Sequence, residues 1–183
     1  MSAQTTLTED APVILDATCS YGRIWPKHAT IRIDIRPEVH PDIVMDATDL
    51  RFPDAHFNTI YCDPPHLFNP GKQTIAVLHR KMGGRMSPTM FQRYGWWNGR
   101  KDWLAFIKGT NREFYRCLKS TGTLEYKILD GKGNGTTHLS ELLEGMTNFT
   151  VMADRITKSR TNFNSNSKCH WLTLKPKTCQ KQP

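Results

Sequence analysis

Residues 30–63 read TIRIDIRPEVHPDIVMDATDLRFPDAHFNTIYCD. Three short apolar runs lie inside this stretch: TIRIDI at 30–35, DIVMD at 42–46 and FNTIYC at 57–62. Each meets an aspartate (Asp34, Asp46 or Asp63) at or beside its end. Short β-prone runs bounded by Pro, Asp and Asn are strand signals. PVILD at 12–16 adds a fourth run of the same kind, ending on Asp16. Strands this short and this close together predict an α/β layer with a mainly parallel sheet.

Downstream, Trp103, Phe106, Ile107, Phe114, Cys117 and Leu118 fall on one stripe of a helix over 101–119, with charges on its other face. Gly122 is expected to stop that helix and TLEYKI at 123–128 to form the next strand. Thr137 is expected to cap a second helix, HLSELLEGM, which Gly145 weakens or ends. Phe149–Ile156 and Cys169–Leu174 read as a closing hairpin. The expected whole is a seven-stranded, mostly parallel sheet with a C-terminal antiparallel hairpin and helices on both faces. A single domain spans 12–176, with tails at 1–11 and 177–183 and an aperiodic substrate-side insertion at 68–100.

The chain carries a net charge of +8, a pI near 9.4 and five scattered cysteines without a CxxC pair. That cysteine usage disfavours a disulfide framework or zinc site and makes a reducing cytoplasm the default. No apolar run approaches the roughly 20 residues of a membrane span, and the polar, acidic N-terminus resembles neither a signal nor a transit peptide. No acid follows Asp154, and the segment from Lys72 to Lys101 is basic without an acid. This imbalance favours a polyanionic partner, nucleic acid, over plain solubility.

In open α/β sheets ligands sit beyond the carboxyl ends of the strands, so the terminal aspartates form a candidate site. Asp16 opens DATCSYGRIW, a strand-to-helix turn whose one glycine is Gly22. Asp34 is spaced to grip ribose hydroxyls, and Asp46-Ala47 to meet an adenine edge. Taken alone, each acid is more readily a turn or cap residue; it is the set in order, ending in DPPH, that points to a site. Asp63-Pro64-Pro65-His66 is more pointed. Two prolines stiffen the backbone and leave carbonyls unopposed by their own N–H groups. Beside a carboxylate, they make a rigid acceptor cluster suited to an exocyclic NH2 group that gains positive charge as it is methylated.

Taken in order, DATCSYGRIW, IDIR, DATDLRFPDAHFNTI and DPPH resemble the class I S-adenosylmethionine-dependent methyltransferases. More narrowly they resemble those with a (D/N)PP(Y/F/W) amino-methyltransferase motif. RCLKSTGTLEYK is similar to the segment that leads into the fifth strand of that fold, and SKCHW at 167–171 is similar to a segment of small DPPH-bearing bacterial and phage enzymes. The resemblance covers roughly residues 12–175. It implies S-adenosylmethionine as cofactor, held by Asp16, Ala17, Thr18 and Gly22 at its methionine end, Asp34 and Ile35 at the ribose, and Asp46 and Ala47 at the adenine, with Asp63 also among the cofactor contacts. Asp63, Pro64 and Pro65 would hold the target amino group, with His66 where an aromatic ring is usual. Ser20 and Tyr21 stand where glycine is usual.

A base inside a duplex must be flipped out or taken single-stranded. Lys81, Arg85, Tyr94, Trp96 and Trp97, with Lys158 and Arg160 as a second lip, form the candidate surface for it, since aromatics among cations suit a stacking platform. The same rings could anchor the loop or serve a homo-oligomer interface. The expected reaction is methyl transfer to N6 of adenine or N4 of cytosine in a bacterial or phage-infected cytoplasm, with DNA ahead of RNA. A protein amide acceptor and a non-catalytic cofactor- or nucleic-acid-binding module are the alternatives.

Overall fold

The computed structural model describes residues 11–21, 25, 29–69, 95–131, 135–158 and 167–178. Seven strands form one sheet: β1 (Ile14–Asp16), β2 (Ile31–Asp34), β3 (Ile43–Val44), β4 (Phe57–Cys62), β5 (Leu118–Asp130), β6 (Phe149–Lys158) and β7 (Lys168–Pro176). Their order is β3-β2-β1-β4-β5-β7-β6. The first five strands of that order run parallel to one another, and β7 is antiparallel to both β5 and β6. Order reverses at β1, between β2 and β4. That is the kind of switch point at which a crevice opens above the strand ends.

Alternation along each strand assigns the two faces. Leu124, Tyr126 and Ile128 of β5 join Leu15, Ile33, Ile60, Cys62 and Leu172 in the core. Helix α1 (Arg100–Cys117) covers this face with Trp103, Ile107 and Phe114, and the shorter α2 (Leu139–Gly145) adds Leu142. The Trp103 indole N–H donates to Glu141 at 3.1 Å, tying the two helices together. On the opposite face Trp25 stacks on Tyr61, with centroids 4.8 Å apart, and meets Trp171 edge-on.

Three boundaries differ from expectation. Helix α1 ends at Cys117, and β5 begins at once with Leu118, so Leu118 belongs to the strand. Gly122 therefore lies within β5 instead of stopping α1. It is needed for close approach: a Cβ there would lie 2.8 Å from the Lys119 carbonyl oxygen and 3.2 Å from that of Asn58, where the β4–β5 register shifts. Thr137 does not cap α2. Its hydroxyl donates to the Leu129 carbonyl at 2.9 Å, and Asp130 accepts the Leu139 N–H at 3.0 Å. Beyond β7, Lys177 is still held, its N–H donating to Asn148 at 2.8 Å.

The loop that carries Asp46 and Ala47 is pinned from α1. Arg116 donates to the Leu50 and Phe52 carbonyls at 2.7 and 2.8 Å and pairs with Glu113 and Asp54. Burial pushes the Glu113 carboxyl up, but Arg116 and Arg112 outweigh it and hold the group below its usual range.

Candidate active site at the carboxyl ends of the parallel strands

The sheet brings Asp16, Asp34 and Asp63 to one edge, because β2, β1 and β4 are parallel neighbours that each deliver a carboxylate at the same end. A cavity of about 870 Å³ opens there, lined by Thr18, Ser20, Tyr21, Asp34, Ile35 and Arg36 from the β1 and β2 turns. Asp46, Ala47 and Thr48 line it from the third turn. Asp63, Pro65, Trp96, Trp97, Asp102 and Phe106 close the other side. Its size is that of a small-molecule site.

Asp16 is buried and accepts the Thr18 N–H at 3.3 Å. Burial, with the nearby charges of Asp63 and Asp34, raises its pKa to about 7. Thr18 faces both ways: its hydroxyl accepts the Asp63 N–H at 2.6 Å and so ties the first turn to the DPPH strand. Ser20, which stands where glycine is usual, has a left-handed backbone with φ of 45°. A non-glycine residue holds that conformation at a cost of roughly 1–2 kcal/mol. It aims the Ser20 N–H at Asp34 at 3.0 Å. Gly22 lies outside the described residues.

Asp34 is held by several donors. Ser20 N–H and the Arg36 N–H, Nε and Nη2 groups all donate to it at 3.0–3.1 Å. A carboxylate has about four acceptor positions, and these four donors fill them. A ribose diol can enter only in exchange for Arg36. Asp46 is exposed and turns onto its own loop, accepting Thr48 N–H and Oγ1–H at 2.8 Å each. Ala47 is buried beside it, whereas Ile35 is 65% exposed at the cavity wall.

At the end of β4, Asp63 is nearly sealed, with 5% of its side chain exposed. Lys127 of β5 donates to both its oxygens, at 3.1 and 3.0 Å, and the His66 Nε2 lies 3.0 Å from Oδ1. Burial pushes the Asp63 carboxyl up, yet the bonds and charges of His66 and Lys127 win and hold it below its usual range. His66 thus turns onto Asp63 instead of lining the cavity, and its Nδ1 is buried without a hydrogen-bond partner. Pro64 is buried, and the Pro65 carbonyl accepts the Trp97 indole N–H at 2.7 Å. Part of the expected acceptor row is therefore already engaged.

Trp96 and Trp97 have separate jobs. Trp97 packs against Trp103 and Phe106, and its backbone pairs with Leu67 and Asn69, which makes it an anchor for the 95–99 segment. Gly95, with φ of 72°, makes the turn into that segment against Pro65. Trp96 is 40% exposed at the cavity wall. Lys81, Arg85, Tyr94 and Arg160 lie outside the described residues, as does the side chain of Lys158 at the end of β6.

Sequence reasoning assigned no role to Lys127 or Arg36, and none to Trp171 beyond its place in SKCHW. Trp171 carries Lys127 Nζ over its ring at 5.4 Å and the Arg155 guanidinium at 4.9 Å. The β4–β5 register, with Cys62 opposite Tyr126, is what brings Lys127 to Asp63. RCLKSTGTLEYK ends on Lys127, but nothing local points from it to Asp63.

The lining fits the cofactor that the motifs imply. Among the described residues, Asp34, Glu38, Asp46, Asp63 and Asp102 face the cavity together with the basic Arg36, beside the apolar Ile35, Ala47 and Phe106. Such a set suits a cationic sulfonium attached to a flat nucleoside.

No protein-family model matches the chain, and no curated protein matches its sequence. Solved structures do match. A TehB-like SAM-dependent methyltransferase from Corynebacterium glutamicum aligns at TM-score 0.51 with 15% identity, over 93% of this chain and 83% of that one. A Burkholderia thailandensis 1,6-didemethyltoxoflavin-N1-methyltransferase with bound S-adenosylhomocysteine aligns at 0.53 with 12% identity, over 90% and 71%. The [4+2]-cyclase SpnF aligns at 0.57 with 13% identity, over 90% and 75%. At these identities the likeness is one of fold, and a shared fold hosts more than one chemistry. The chain has the Rossmann-like fold of the SAM-dependent methyltransferases.

Proposed function

We propose that this protein is an S-adenosylmethionine-dependent methyltransferase acting on an exocyclic amino group of a nucleic-acid base, N6 of adenine or N4 of cytosine. The supporting observation is the meeting of the Asp63-Pro64-Pro65 strand end with the Asp16 and Asp34 turns around one carboxylate-lined cavity. When bound, the cofactor supplies an electrophilic methyl group on a sulfonium, which the amino nitrogen takes up with loss of one proton.

In this reading Ile35, Ala47 and Phe106 receive the adenine ring, and Asp34 takes the ribose as Arg36 yields. Asp63 and the proline carbonyls orient the target NH2 and stabilise its growing positive charge. Trp96 offers an exposed ring against which an extruded base could lie. The net charge of +8 favours a polyanion, and the resemblance to phage-type enzymes puts DNA ahead of RNA. A single-stranded or flipped base is the form that would reach the cavity.

A second reading has one observation behind it. Asp34 is fully occupied by four donors and Asp63 largely so by Lys127 and His66. Such satisfied carboxylates suit a module that binds without reacting.

One set of assays separates the two. Tritiated methyl transfer from S-adenosylmethionine is measured on single-stranded DNA, duplex DNA, RNA and protein, with calorimetry of cofactor binding alongside. Asp63→Ala is expected to abolish transfer while keeping cofactor affinity within about threefold. Asp34→Ala is expected to weaken cofactor binding about tenfold or more. A wild-type protein that labels none of the four acceptors would sink the catalytic reading.

A further inference from the structure

The DPPH site contains a cation that its own motif does not. Lys127 Nζ bridges both oxygens of Asp63, at 3.1 and 3.0 Å, from the neighbouring strand, with 13% of its side chain exposed. Its other side lies over the Trp171 ring. The Trp171 indole N–H is in turn fixed to the Thr157 hydroxyl at 3.2 Å. Lys127 is thereby held between a carboxylate and an aromatic face. His66 Nε2 occupies a further position on Oδ1. Of the roughly four acceptor positions of a carboxylate, three are spoken for, and the remaining one is on Oδ2.

We propose that Lys127 is the positioning residue for Asp63, and that the pair restricts the site to neutral planar amino groups, those of nucleobases or amides, against alkylammonium ions. This rests on the reading that Asp63 faces the target amino group. A buried carboxylate without a counter-ion would draw in any cation. With Lys127 already paired to it, an incoming ammonium would meet a like charge a few ångströms away, whereas a neutral NH2 needs only the one acceptor position left. Holding the carboxylate by both oxygens also fixes its plane, which a single hydrogen bond cannot do.

The groups that face Asp63 are His66 on its own turn, Asp16 on β1, Cys62 on β4, Lys127 and Tyr126 on β5, and Cys169 on β7. His66 and Lys127 hold its proton affinity down against burial. Removing Lys127 leaves burial opposed by His66 alone, so Asp63 must titrate higher.

The test uses the full chain as wild type, Lys127→Met and Lys127→Arg, each checked for an intact amide NMR spectrum. The Asp63 carboxyl carbon is followed by NMR against pH without any substrate. In Lys127→Met its midpoint is expected to rise by about one pH unit or more, and in Lys127→Arg to stay near wild type. Methyl transfer is then measured on a single-stranded oligonucleotide and on spermidine. Wild type is expected to label the oligonucleotide and not spermidine. Lys127→Met is expected to lose about tenfold or more in kcat with KM and cofactor affinity within twofold, and Lys127→Arg to recover part of it.

An unchanged Asp63 midpoint in Lys127→Met overturns the positioning role. Spermidine labelled by wild type as readily as the oligonucleotide overturns the selectivity. A wild-type protein that labels neither removes the selectivity together with the methyl-transfer reading. The NMR midpoint still decides, by itself, whether Lys127 holds Asp63.

Discussion

Strands β1, β2 and β3 are three, four and two residues long, whereas β5, β7 and β6 run for 13, nine and ten. The parallel half is a set of short sockets, each ending in a carboxylate and a turn. The antiparallel half is a continuous ladder in which β5 and β7 carry most of the buried apolar side chains, while Val151, Met152 and Ile156 of β6 are exposed. Strand length explains the division. A long ladder satisfies its own backbone and needs few side-chain bonds. A three-residue strand ends almost where it begins, and its turns must be fastened by Asp, Ser, Thr and Arg side chains. The Asp and Arg fasteners are ionisable, so the short half is expected to respond to pH and salt, whereas the core packed around Trp103 responds to volume.

The largest blow to that contrast would come from Trp103, fully buried under the sheet and bonded to Glu141. Trp103→Ala is expected to cost ~3–5 kcal/mol in chemical denaturation, since it opens a cavity and removes one of the donors to Glu141, which keeps its Arg100 partner. Its cost should vary little between pH 5 and 8.

Asp16 should behave in the opposite way. Its folded pKa, about 7, stands above the ordinary 3.8, so the unfolded chain loses this proton first. Its contribution to stability is whole below about pH 4 and is lost as pH rises through 7. Asp16→Asn is expected to flatten that fall and raise stability at pH 8 by at most ~4 kcal/mol. Urea midpoints taken across pH 4–8 read this directly; parallel curves for the variant and wild type would break the contrast.

The smallest effect belongs to the Arg32–Asp42 pair, which joins β2 to the start of β3 at 3.0 Å with both side chains well exposed. Asp42→Asn is expected to cost less than ~1 kcal/mol, and the difference should shrink in 1 M salt. Thermal melts at low and high salt check it, and a loss that survives salt would mean the edge is held by packing instead.

How much of this was legible follows the same division. The four N-terminal strands were readable because each apolar run is short, bounded by turn residues and closed by an acid. Helix α1 was readable from its stripe, with Trp103, Ile107, Phe114 and Cys117 all buried. The start of β5 was hidden because Leu118 fits the end of a helical stripe as well as the start of a strand. Gly122 then read as a stop, when its real constraint is backbone crowding from Lys119 and Asn58. Thr137 looked like a cap on local spacing, but its hydroxyl is claimed by Leu129 across the turn.

By itself the sequence determined which runs become strands, the carboxylates at their ends and the helix that covers the core, because those depend on residues within one turn or one strand of each other. Only the tertiary structure decided what the carboxylates hold. The Asp63–Lys127 bond spans 64 positions and exists because β4 and β5 pair in one register. The Trp97 anchor on Pro65 spans 32. Arg36 lies close to Asp34 in the chain, yet its grip still depends on the turn that points its guanidinium back. A carboxylate announces itself in a sequence; which donors fill its lone pairs is settled by the packing that brings them within about 3 Å.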